Sequence, residues 1–243
     1  MKFSIIILLA PLTSSLDFQE GRTLAQAKSM LVALRPDLNT GHKTQHRARD
    51  ILFRHGCYCY SMGSGNVGPR HNYHGPALDK LDELCRDLYR AQRCLKYEME
   101  SSSSSNSNSN NSVSCNLSIG YPFYKNQNTG EIICNHQTNP NWNQKPENQC
   151  RYKNCQLEKE FIEKVEALLS STPMNRHERN IINPIYADIS DNDYGKYCPA
   201  ETYSGNNKGL EACCGIGIER KPYDAVNRSC CSEKVVDLGN CWK

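Results

Sequence analysis

Apolar residues recur at three- and four-residue spacing in three stretches of the chain, and each predicts a helix. The first is Leu24 to Leu34, ended by Pro36 and Gly41. The second runs from about Ala77 to Met99, opened by Asp79 and Asp82, with Leu81, Leu84, Cys85 and Leu88 on one face. The third runs from about Asn154 to Ser170, where Leu157, Phe161, Ile162, Val165, Leu168 and Leu169 form the stripe. A shorter helical pattern covers His46 to Phe53 and leads into HGCYCYSMGSG, His55 to Gly65. Ile119 to Cys134 reads as a hairpin with its turn at Asn128 to Gly130. Between the long helices, Ser101 to Ser112 is a Ser/Asn tract that reads as a tether. Met174 to Asn192 is polar and patternless and reads as a linker, after Pro173 stops the third helix.

Composition changes the picture in two ways. The opening MKFSIIILLAPLTSS pairs Lys2 with a short apolar run and small residues, the pattern of a secretory signal peptide over residues 1–15. The chain holds 14 Cys, all beyond that segment, and an even set in an oxidising compartment predicts a disulfide framework. Cys57 and Cys59 stand too close for a zinc pair, and the histidines do not follow a zinc-finger spacing. Asn110, Asn116 and Asn227 each open a glycosylation triplet, which fits a secreted, extracellular chain. The net charge of +3, with both signs mixed, is no footprint for nucleic acid. Tyr197 to Trp242 holds six cysteines and few aliphatics, so disulfides must carry much of its stability.

The loop His55 to Gly65 followed by PALDKLDELCRDLYRAQ, then a hairpin and a helix around Cys155, resembles secreted phospholipase A2 over residues 24–170. In that family a Y-G-C-Y-C-G-x-G-G-x-G loop binds calcium, and P-x-D-x-x-D-x-C-C-x-x-H-D-x-C-Y forms the first catalytic helix. The histidine is general base to a water, and the aspartate beside it holds the Ca²⁺ that stabilises the oxyanion. Counting from Cys85, the resemblance assigns the histidine position to Leu88 and the calcium aspartate to Tyr89. The acid that orients the histidine survives as Glu158. In the loop, Tyr58 keeps its place, while Tyr60 and Met62 stand where the family has glycines. Leu88 cannot take a proton and Tyr89 is neutral near pH 7, so base, ligand and loop are all altered. His71 and His74 lie between loop and helix, but Ca²⁺ prefers oxygen ligands and solvated loop histidines are the simpler reading. Glu158 then needs a new partner, such as Tyr89 or a loop amide.

The resemblance also implies disulfides Cys59–Cys85 and Cys134–Cys155, with Cys150 joined to Cys94 or Cys115. Two family bridges are lost as whole pairs, at Leu84 with Lys164 and at Ala91 with Leu157. CCGIGIERKPYDAVNRSCCSEKVVDLGNC, Cys213 to Cys241, resembles one di-cysteine repeat of galaxin-type matrix proteins. The expected chain is thus a mainly α, disulfide-rich protein: two long antiparallel helices and a small hairpin over residues 16–172, a linker at 173–196, and a cysteine-rich module at 197–243. The expected function is binding, of a phospholipid or membrane surface, an extracellular matrix or a receptor, without a cofactor and without ester hydrolysis. The alternatives are an active phospholipase using Ca²⁺ through an atypical site, and a matrix component acting through its tail.

Overall fold

The computed structural model describes residues 23–39, 52, 54–61, 67–69, 75–104, 115–135, 145–171, 186, 189–199 and 212–241. The predicted signal peptide, Met62, His71, His74, nearly all of the 46–53 pattern and the Ser/Asn tract beyond Ser104 lie outside them. Helix α1 (Thr23–Leu34) comes first, followed by a 3-10 turn at Pro36–Asn39. Strands β1 (Arg54–His55), β2 (Cys59–Ser61) and β3 (Val67–Gly68) form a small antiparallel sheet, with β2 at its centre.

Helix α2 (Lys80–Ser104) is capped by Asp79, whose Oδ1 accepts from the Asp82 amide at 2.9 Å. Hairpin strands β4 (Phe123–Lys125) and β5 (Ile132–Cys134) pair with Phe123 opposite Cys134. Their turn is held by Asn126, which accepts the amides of Asn128 and Thr129. Helix α3 (Pro146–Ser171) begins eight residues before the apolar stripe predicts, because Pro146 suits a first helical turn. Gln92 bonds to Asn154 and Glu158, whereas the earlier Asp87 senses the later Lys164. The pairs run in opposite order along the two helices, so α2 and α3 are antiparallel.

The core lies between α1, α2, α3 and the loop sheet, and includes Met30, Leu31, Leu52, Leu81, Leu88, Phe161, Ile162 and Val165. Burying each such side chain contributes about 1.5–3 kcal/mol. Seven disulfides use all 14 cysteines. They include Cys59–Cys85 and Cys134–Cys155, and Cys150 is joined to Cys115.

Three expectations need correction. The fold is mixed, not mainly α: among the described residues four helices stand with four small antiparallel sheets. The tail accounts for two of the sheets, β6 (Ala212–Cys214) with β7 (Lys221–Tyr223) and β8 (Arg228–Cys231) with β9 (Lys234–Asp237). Short strands persist there because Cys214–Cys230 and Cys231–Cys241 pin them covalently.

The end of the expected linker is structured. Ser190 caps helix α4 (Asp191–Tyr197), Ile189 and Tyr194 are buried, and Cys198 is bonded to Cys57 in the loop. The tail is also no separate unit. Cys213 is bonded to Cys94 on α2, and Ile218 is buried in the main core. The Ile218 amide donates to Glu160 on α3 at 3.0 Å, and Lys164 reaches Glu219 at 3.0 Å. A segment this poor in aliphatics cannot enclose its own core, so it docks its one buried isoleucine against the helices.

Candidate functional site

Two buried carboxylates mark the region that the resemblance singles out. Asp82, on the first turn of α2, has no exposure. Its Oδ1 accepts the amides of Cys57 (2.9 Å) and Tyr58 (2.7 Å), and its Oδ2 accepts the amide of Leu78 (3.0 Å). One side chain thereby ties the loop to the helix. Burial raises the Asp82 pKa, against the pull of those three backbone bonds.

The packing leaves room only for glycine at position 56. Gly56 has φ +61°, and a Cβ built there would lie 2.2 Å from Asp82 Cγ. Beside it, the buried His55 donates from Nε2 to Asp79 Oδ2 at 2.7 Å. His55 therefore braces the loop against the helix cap.

The loop backbone is occupied by its own neighbours. Tyr60 N donates to the Tyr58 carbonyl at 2.9 Å, and the Tyr194 hydroxyl donates to the Cys57 carbonyl at 3.3 Å. The Tyr58 hydroxyl donates to the Gly75 carbonyl at 2.6 Å. The Tyr60 ring meets Tyr194 edge-on, with centroids 5.9 Å apart. Helix α4 is thus part of the loop's support, a role its polar sequence did not advertise. The signal was present: Ser190 followed three residues later by Asp193 is a capping pattern, and Asp193 N does donate to Ser190 Oγ.

Glu158 is the second carboxylate, 2 % exposed at the centre of the α2–α3 contact. Its Oε1 accepts from Gln92 Nε2 (3.1 Å) and Asn154 Nδ2 (3.2 Å), and its Oε2 is bonded to the Tyr121 hydroxyl. Burial raises its pKa to about 8, while the hydrogen bonds oppose the shift. Tyr121 is itself held by α1, since its amide donates to Gln26 Oε1 at 3.1 Å. The expected partners of Glu158 are corrected accordingly. Tyr89 instead meets Arg93, which sits 5.7 Å over its ring, and among the described residues no loop amide is bonded to Glu158.

Leu88 is fully buried in the same core as Phe161 and Ile162. An apolar residue thus fills the position next to the Glu158 network, and the described part of that network contains no imidazole. Chemically, these groups hold and orient one another. Among the described residues no set of three or more His, Cys, Asp or Glu side chains is placed to hold a metal ion. No described helix is long and apolar enough to cross a membrane. Comparison with known proteins finds no matching family model, no matching curated protein and no matching solved structure.

Proposed function

We propose that this chain is a secreted, phospholipase A2-like protein that binds and does not hydrolyse. The observation that carries this reading is the closed network at Glu158. In the mechanism the resemblance implies, the acid on α3 orients a histidine on α2. Here its oxygens are taken by Tyr121, Asn154 and Gln92, and Leu88 packs where the base would stand. Burial keeps Glu158 protonated near neutral pH, which suits a neutral hydrogen-bond cluster better than an orienting anion.

The described residues do not fit a calcium ion. Tyr89 offers a neutral phenol in place of a carboxylate, its ring facing Arg93, and the Tyr58 carbonyl already accepts from Tyr60. Other features favour the frame that the resemblance implies. Antiparallel α2 and α3, the β4–β5 hairpin and disulfides Cys59–Cys85 and Cys134–Cys155 support a shared ancestry of fold. Seven disulfides support an oxidising, extracellular setting. The surfaces left for function are then those that contact a lipid surface, an extracellular matrix or a receptor, with the docked tail as an addition to the frame.

The test is hydrolysis of phosphatidylcholine vesicles by the purified chain with Ca²⁺ and with chelator. No turnover above buffer is expected in either condition. Calcium-dependent turnover would overturn the proposal.

A further inference from the structure

Arg86, Arg90 and Arg93 follow one another at steps of four and three along α2, so they share a face of the helix. Arg86 and Arg90 open into a cleft of about 780 Å³ walled by α2, the end of α3 and the turns of the tail. We infer that this cleft is a binding site for a discrete ligand bearing phosphate or sulfate ester groups.

Four more cations line it: Lys80, Lys164, Lys221 and Lys234. The carboxylates are Glu83, Asp87, Glu219 and Glu233, which leaves an excess of positive charge. Pairing sharpens the excess. Lys80 and Arg86 are bonded to Glu83, and Lys164 to Glu219. Arg90, Lys221 and Lys234 make no ion pair among the described residues, against a single such carboxylate, Glu233. Arg86 Nε is buried and, among the described residues, has no acceptor within hydrogen-bond distance, the Asp87 carboxylate standing 3.8 Å away.

Arg90 is half-buried beside Arg86 and Arg93, and burial, followed by the charge of Arg86, lowers its pKa. A guanidinium stays charged even so. A tetrahedral oxyanion offers what the cluster lacks, several acceptors in a geometry that matches the planar fork. Ile216, 65 % exposed on the rim, supplies apolar contact for the body of such a ligand.

Shape favours a discrete molecule over a membrane. The cleft is concave and within the ~300–1,000 Å³ of small-ligand sites. The site does not rest on the phospholipase resemblance, because the tail supplies one of its walls. It is distinct from the Glu158 network, so a failed hydrolysis test and a failed binding test overturn different statements.

The test is calorimetric titration of the full chain with sucrose octasulfate, with inorganic pyrophosphate, and with phosphatidylcholine vesicles containing phosphatidylserine. Binding of either soluble probe is expected, weakening as salt rises. Arg90→Gln should weaken it about tenfold, the loss of one charge-assisted pair. Lys234→Gln, at an exposed position outside the core, should weaken it about two- to threefold. The inference is overturned if neither soluble probe binds, if only the vesicles bind, or if both variants bind like the parent chain.

Discussion

Asp82 and Glu158 are both buried acids, yet they are satisfied in opposite ways. Asp82 receives three backbone amides from the segment 57–78, so its partners cannot rotate away and all are donors. Glu158 receives side chains from α2, α3 and Tyr121, two residues before β4, and a hydroxyl and amides can donate or accept as needed. The first site demands a carboxylate; the second demands only a polar group of that shape. The difference separates what the fold needs from what chemistry would have needed.

The largest effect is expected where the Asp82 site is broken sterically. Gly56→Ala combines a positive φ with a Cβ inside Asp82, and should destabilise by about 4 kcal/mol in denaturant unfolding. Asp82→Asn keeps the volume but turns an NH2 toward amide donors, and should cost about 2–3 kcal/mol by the same measurement. At the Glu158 site the effects shrink. Tyr121→Phe leaves one Glu158 oxygen short of a partner and should lower stability by about 1–2 kcal/mol.

Glu158→Gln should raise stability at pH 7, because the parent takes up a proton on folding that its unfolded chain has released, and the amide has no such cost. Its larger signature is in pH dependence. The Glu158 pKa rises from 4.5 to about 8 on folding, so the folded chain holds this proton where the unfolded chain has released it. Stability is then fully present below the unfolded value and declines as pH rises through about 8. Asp82, also raised by burial, adds to the decline from lower pH. Thermal midpoints measured from about pH 5 to pH 9 should fall in the parent and fall less steeply in Glu158→Gln. Equal slopes in the two proteins would remove the distinction between the sites.

The helices were legible because Leu81, Leu88, Phe161, Ile162 and Val165 repeat at the helical period, and the hairpin because Asn128 to Gly130 carries turn chemistry. Glu158 was legible as a buried acid, and Leu88 as an apolar position on the inward face of α2. Its true partner, Tyr121, was not, because 37 residues separate them and nothing in either segment encodes the meeting. The start of α3 was hidden for a different reason: residues 146–153 are polar and show no apolar stripe, although Asn148 and Cys150 are buried. The docked tail was hidden because one isoleucine, Ile218, leaves no periodicity to read. Helix α4 was the avoidable miss, since Ser190 and Asp193 announce its start.

The cysteine connectivity carries a consequence for how the protein is made. Cys57 must wait for Cys198, 141 residues later, and Cys94 for Cys213, 119 residues later. When the 59–85, 115–150 and 134–155 bridges have all become possible, the growing chain still holds two unpaired thiols in its main body. The final segment is therefore a latch, which arrives last and closes the loop and the long helix together. A chain cut short before residue 198 would leave the ribosome with two reactive sulfurs and nothing to answer them.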